Sequence, residues 1–495
     1  MHCVSVRNNF KRLEIDALCH DTGIKQTDEE EKSHQVQKMF TIFNKASQVL
    51  VWLGEAGRYT AIALDFMKVP GILLPSCEAL VVTAEGSLPM DSDISQTWEG
   101  ILDLYSRAWS RRLWVQQEIF AARRIVVKCG RFEFDFTTYK RCAGRILKLS
   151  KEKSSVVRAD IEPDTVRTME ALTRMRTTDA AMLAELERQR HTPAVERGFL
   201  HNSRGDYHGC MDGNIPSMGI DCVLQDLVGL RSTHVVDCVY AALGMTHCKI
   251  AAAGQRTRRS PQPVMKIDYS RSPAQVFEDV TRYIMSEERN LRIIASFNRG
   301  ETDTNELSLA SWCLDYRYFR SHQGHADHPQ RVDYFEIDPQ IHNRPGRIIL
   351  SGVKVGTSTS VRTSVSALDL PGARGDGDTI RCVDRNLQPI EAKLKLKLHA
   401  YGLSPNSSEL DGWRMIVDGL DIRNNDIVVL GATHANQAIK FPPQNISFVV
   451  LRARAGQDWR YIGQVRFVNM EAISFTRHNG RMRMPEAPIE SFVIQ

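Results

Sequence analysis

The 495-residue sequence holds 11 cysteines but no Cys-x-x-Cys pair. Odd in number and scattered, they form neither a disulfide framework nor a zinc ribbon. Cys210, Cys222, Cys238 and Cys248, with His208, His234 and His247 among them, come nearest to a metal cluster. Their gaps are irregular, so reduced structural cysteines and no metal are expected. Long apolar runs are missing too: nothing approaches the ~20 residues of a membrane-spanning helix, since "GILLPSCEALVV" carries Glu78 and stops early. The start, "MHCVSVRNNFKRLEID", has no apolar core of a secretion signal, and a cytoplasmic protein is expected. Net charge is slight. Sixty-four Lys+Arg against 59 Asp+Glu leave +5, which gives no electrostatic case for nucleic acid. Neither an internal repeat nor a low-complexity segment is found.

What is present is the composition of a soluble globular protein, 42% hydrophobic and 25% charged. The chain is too long for one ordinary core, and roughly two to four structural units are expected. "RLEIDALC" at 12–19 alternates as a strand does, with Leu13, Ile15, Ala17 and Cys19 on one face. After an acidic loop, Val36, Met39, Phe40 and Phe43 recur at helical spacing, and "VLVWLG" at 49–54 is a second short strand. Residues 110–130, "SRRLWVQQEIFAARRIVVKCG", change period within the stretch. A helix starting at Ser110, whose hydroxyl caps the first turn, runs into a β-branched strand ending at Gly130.

This alternation predicts an α/β layer with a mainly parallel sheet over residues 1–135. Ligands of such sheets bind beyond the carboxyl ends of the strands, here the loops after Cys19, Gly54 and Gly130. Residues 136–320 read as a helical middle region with a long loop near 190–220. Within it, Ser272-Pro273 supplies the cap and first-turn proline of an amphipathic helix. Residues 321–495 change class: "GRIILSGVKVGT", "DIVVLG", "SFVVLRAR" and "YIGQVRFV" are short runs split by Asn, Asp, Gly and Pro, which predicts an antiparallel β unit.

"EIDALC", "HQVQKMFTIFNKASQVLVWLGE" and "SRAWSRRLWVQQEIFAARRIVVKCG", in this order and spacing, resemble the heterokaryon incompatibility (HET) domain of filamentous fungi. Later blocks resemble the long type of these proteins: "VVDCVYAALGM", "IDYSRSPAQVFEDVTRYI", "LASWCLDY" and the closing "NNDIVVLG … FVVLRAR … WRYIGQVRFV". The resemblance implies nonself recognition, in which incompatible fusion of cells triggers growth arrest or programmed death. The implied partners are a second copy or another incompatibility protein. It also implies departures: the family's first strand, with its Tyr-Val-Trp-Gly motif, is missing here, and "CHDTGIKQTD" stands where the family has Cys-Ile-Asn-Gln.

HET domains resemble TIR domains, some of which cleave the glycosidic bond of NAD with a glutamate four residues after an aromatic. Trp114-Val-Gln-Gln-Glu118 has that pattern. The resemblance thus makes Glu118 the catalytic candidate, NAD the candidate substrate, and no bound cofactor necessary. A carboxylate there stabilises the positive charge that builds on the ribosyl carbon. Trp114 would stack on a ring or wall off water, Arg111 or Arg112 would meet phosphate, and Asp16, near the end of a strand, is a further binding candidate. The plainer reading stands beside it, Trp114 as core and Glu118 paired with Arg111, Arg123 or Arg124, in a catalytically inactive interaction protein. Asp28 reads as part of an acidic helix start, Trp52 and Trp109 as core, and Cys129 as inert.

Overall fold

The fold comes from a computed structural model that describes residues 3–6, 13–15, 29–68, 92–152, 161–177, 220–246, 265–288, 291, 293–294, 306–317, 332–335, 345–364, 391–398, 414–417, 425–431, 435–436, 447–454, 456, 458–467, 476–478, 481–483 and 488–495. Asp16, Asp28 and the loop expected near 190–220 lie outside them. The chain divides into two compact units, one of residues 1–188, 226–255 and 266–270, the other of 189–225, 256–265 and 271–495.

The first unit holds a five-stranded sheet of β1 (Cys3–Val6), β2 (Leu13–Ile15), β3 (Gln48–Trp52), β4 (Ile125–Cys129) and β5 (Phe132–Asp135), in the order β2-β1-β3-β4-β5. The expected mainly parallel sheet is corrected to a mixed one. Only β3–β4 is parallel; β1–β2, β1–β3 and β4–β5 are antiparallel. The connections decide the directions. Two residues, Gly130 and Arg131, separate β4 from β5, which permits only a hairpin, and Gly130 takes φ 53 in the turn. Between β3 and β4 the described residues alone include three α-helices, long enough for a crossover. Strand β1 was not among the expected elements.

Helix α1 (Glu29–Lys45) buries Val36, Phe40 and Phe43 of the face its spacing predicts, while Met39 is half-buried. Helices α2 (Thr60–Lys68), α3 (Ser92–Ser106) and α4 (Leu113–Ala121) follow, then α5 (Phe136–Glu152), α6 (Pro163–Arg174), α7 (Ile220–Leu227) and α8 (Asp237–Leu243). Asp135 caps α5, its Oδ2 accepting from the Thr138 amide at 2.8 Å. Helices α3 and α5 are locked by Tyr105 and Tyr139, whose rings stack at 4.8 Å. Each phenol donates to the other's helix, Tyr105 to Tyr139 O at 2.7 Å and Tyr139 to Leu104 O at 3.0 Å. Both are fully buried, and burial pushes both phenols well above their ordinary pKa.

The expected helix start at Ser110 is also corrected. Residues Ala108–Arg111 form a 3-10 turn, Arg112 is extended at φ −73 and ψ 131, and α4 begins at Leu113. Instead of capping, Ser110 Oγ donates to Thr168 O at 2.8 Å. Trp109 is core, at 1% exposure, while Trp52 is only half-buried.

The second unit contains α9 (Pro273–Glu288), opened as its Ser-Pro predicts. Gln275 N donates to Ser272 Oγ at 3.3 Å and Ser272 N to Gln275 Oε1 at 3.1 Å, a reciprocal cap. Thr281 on α9 pairs its hydroxyl with that of Tyr316 at 2.9 Å, and the Arg282 guanidinium lies 4.8 Å above the Trp312 ring. The "SWCLDY" block is therefore the surface on which α9 packs.

Most of the C-terminal strand pairings are antiparallel, as expected, and six of the strands pair in a closed ring. Strands β7 (Ile348–Ser364), β8 (Glu391–Leu398), β9 (Arg414–Val417), β13 (Trp459–Phe467), β12 (Ser447–Ala453) and β10 (Ile427–Gly431) pair in that cyclic order, with β10 returning to β7. This is a six-stranded antiparallel barrel, an arrangement that removes free strand edges. Strand β16 (Glu490–Ile494) adds to it, antiparallel to β7 and parallel to β13. Strands β6 (Val332–Phe335), β11 (Ala435–Asn436), β14 (Thr476–His478) and β15 (Arg481–Arg483) form a separate small sheet. Every residue of β10 is buried.

Candidate functional site

Of the three loops where a ligand is expected, the one after Cys19 lies outside the described residues, and those after Gly54 and Gly130 follow β3 and β4, the parallel pair of this sheet. The protein's own groups occupy the carboxyl ends of these two strands. Gly130 N donates to Gly54 O at 2.8 Å, and a Cβ on Gly130 would stand 2.9 Å from the Ala56 backbone nitrogen, so the two loops lie one on the other. Arg107 closes the end: its guanidinium donates to Leu53 O at 2.6 Å and to Asp103 Oδ2 at 2.9 Å. Cys129 is buried beneath, its thiol donating to Glu55 O at 3.5 Å, and burial raises its pKa, opposite to what a nucleophile needs.

The sequence-predicted residues on α4 are separated by burial rather than joined by spacing. Trp114 is half-buried, whereas Glu118 is 0% exposed. The reason is that α4 is enclosed nearly all round: Leu113 and every residue from Val115 to Ala121 are buried, with α1 and α8 packed against it. Phe40 of α1 meets Phe120 with ring centroids 6.3 Å apart. On the α8 side, a Cβ on Gly244 would fall 1.8 Å from Gln117 Nε2, so that glycine makes room for a buried amide. Arg111 is 6% exposed, and its Nη1 meets Asp164 Oδ2 at 2.9 Å. A 490 Å³ groove lies at the other end of β4, between Arg123, Arg124, Glu133 and Phe134.

What the structure brings together instead is a polar node between two of the later sequence blocks and α1. Tyr269, of "IDYS", donates from Oη to Asp237 Oδ1 at 2.6 Å; Asp237, of "VVDCVYAALG", is 2% exposed. Tyr269 N donates to Ser33 Oγ at 3.1 Å, and Ser33 Oγ donates to Glu29 O at 2.6 Å. The Lys32 ammonium lies 4.0 Å from the centre of the Tyr269 ring. Tyr240 packs edge-on to Tyr269 at 5.2 Å and donates to Asp268 O at 2.8 Å, and His234 meets the same ring at 5.7 Å. Burial pushes the Tyr269 phenol well up, helped by the Asp237 carboxylate, and burial draws the Lys32 ammonium down against the pull of Asp237.

Sequence reading picked out both blocks but not this role for Asp237, Tyr269 and Lys32. The available signal was a lone acid opening an apolar helix, since a carboxylate buried there requires a donor. Tyr269→Phe removes that donor while keeping the ring. It is expected to destabilise the first unit by about 1–3 kcal/mol, checked by urea unfolding. A change below a few tenths would show that the node holds nothing.

The first unit is thus a mixed α/β domain of helices around a five-stranded sheet. Residues 1–118 match the family model described as Heterokaryon incompatibility protein (HET), so this part of the chain carries a heterokaryon incompatibility domain. No curated protein and no solved structure is significantly similar to it.

Proposed function

We propose that this protein acts in nonself recognition, that its HET domain drives growth arrest or programmed death when incompatible cells fuse, and that it does so by contact in the cytoplasm. The partner is a second copy or another incompatibility protein. The family match over residues 1–118 carries the reading. Among the described residues no helix is long and apolar enough to cross a membrane, in keeping with it. The preference for contact over NAD cleavage rests on Glu118: at 0% exposure inside an enclosed helix, its carboxylate does not face solvent, as a group that meets NAD must.

Two measurements with Glu118→Gln, which keeps the side chain's volume, test this. Inducible expression in a filamentous host is expected to arrest growth with the wild-type chain and equally with Glu118→Gln. Purified wild-type protein is expected to leave NAD intact over hours. Healthy colonies at high wild-type expression would remove the death-signalling reading. NAD loss by wild type but not by Glu118→Gln would instead assign glycohydrolase activity to Glu118.

A further inference from the structure

Three arginines of the first unit converge on one carboxylate. Asp164 Oδ2 meets Arg111 Nη1 at 2.9 Å and Arg231 Nη2 at 3.4 Å, and its Oδ1 meets Arg167 Nη1 at 2.8 Å. The three guanidiniums together hold the Asp164 carboxyl below its usual range, Arg111 foremost. Three cations on one anion leave a surplus of two positive charges within one side chain's reach, the charge that a phosphate dianion neutralises.

The cluster has a rigid floor and an open face. Arg111 is the floor: its side chain is 8% exposed, and its backbone is held by Arg231 N donating to Arg111 O at 2.6 Å and Leu113 N to Arg231 O at 2.9 Å. Its Nε is buried with no hydrogen-bond partner among the described residues, a donor left over inside the cluster. Arg167 and Arg231 form the face, with side chains 66% and 61% exposed. Each guanidinium carries five N–H groups, and one nitrogen of each meets the shared carboxylate. Asp164 also lies in the first turn of α6, a 12-residue helix whose amino end adds positive potential.

We infer that the Arg111–Arg167–Arg231 cluster is a binding site for a phosphate monoester carried on a protein side chain. The chemistry is that of bidentate guanidinium recognition, in which planar forks match phosphate oxygens. The openness of Arg167 and Arg231 favours a phosphorylated side chain presented on a protein surface over a small molecule, which requires enclosure. Such a site would tie this protein to the phosphorylation state of a partner, whatever the output of its HET domain.

Calorimetric titration of the whole chain tests it, using inorganic phosphate at an ionic strength held constant with chloride. A phosphoserine peptide, its unphosphorylated twin and ADP complete the set. Phosphate and phosphopeptide are expected to compete for one site, and the unphosphorylated twin to give no heat. Arg167→Gln with Arg231→Gln, both exposed and so compatible with folding, is expected to weaken binding about a hundredfold, roughly tenfold for each charge-assisted bond lost. The corresponding double lysine variant, which keeps charge but not the fork, should fall between. Binding no stronger than that of chloride, or unchanged in the glutamine variant, would overturn the site. ADP binding tighter than the phosphopeptide would overturn the protein-borne source.

Discussion

Gly100→Val is expected to destabilise the first unit by about 3 kcal/mol or more, the upper part of the range for overpacking. Gly100 is buried on α3, where that helix crosses the start of α2. A Cβ there would stand 2.5 Å from Tyr59 O and 3.0 Å from both Tyr59 C and the Ala63 Cβ. The nearest atom belongs to the backbone and cannot rotate away. Tyr59 O is itself committed, accepting from Ala63 N at 3.1 Å in the first turn of α2. To admit a side chain the helices must separate, and Ala63, Leu64, Met67, Ile101 and Leu104, all buried, would lose contact across the seam. Gly100→Ala should cost less, because alanine recovers about 1 kcal/mol of helix propensity over glycine. The exposed neighbour supplies the control: Glu99→Val is expected to shift stability by no more than about 0.5 kcal/mol. Urea midpoints of the three variants decide the matter, and a Gly100→Val as stable as wild type would show that the two helices do not meet at this glycine.

Asp426→Ala is expected to be the comparable lesion in the barrel, at about 3 kcal/mol. Asp426, 2% exposed, receives both a 2.8 Å bond from Arg452 Nε and a 2.8 Å bond from Arg452 Nη2, a bidentate pair that ties β12 to the start of β10. Removing the carboxylate takes these two acceptors from a cation whose side chain is only 22% exposed. That residual access to water is why the expected loss sits at the low end for a broken buried pair. Replacing both partners, Asp426→Leu with Arg452→Met, leaves no stranded charge and should restore most of the stability. Near-ultraviolet circular dichroism during thermal unfolding reads the comparison through Trp459 and Tyr461 of β13. A single variant as mild as the double one would mean that the pair is solvated and holds nothing.

The elements that sequence reading found are those whose burial is periodic. Val36, Phe40 and Phe43 declare α1, and the β-branched run from Ile125 declares β4, because spacing along the chain maps directly onto one buried face. Strand β1 escaped since "CVSV" is four residues long and offers too few positions for a period to show. Sheet direction escaped for another reason. Alternation looks the same in a parallel and an antiparallel strand, and only the two-residue turn at Gly130-Arg131 betrays one of the pairs.

The candidate site divides along the same line. Placing Trp114 and Glu118 one turn apart was sound arithmetic on a helix, yet spacing cannot say whether neighbours cover the arc they share. Here Glu118 is buried on a helix against which α1 and α8 pack, and Trp114 is half-buried. The resemblance offers Arg111 as a phosphate ligand; its tie to Asp164, 53 residues away in sequence and 2.9 Å away in space, has no local trace.

The sequence by itself pointed to helices alternating with strands at the start and to short strands at the end, together with motif blocks that resemble the heterokaryon incompatibility domain. These follow from residue order, since periodicity and turn chemistry are local properties. Only the tertiary structure decided that Asp237, Tyr269 and Lys32 form one node, that three arginines share Asp164, that Glu118 lies out of solvent and that the last strands close into a barrel. Each of these depends on distances between segments far apart in the chain, and such distances are set by how whole elements pack.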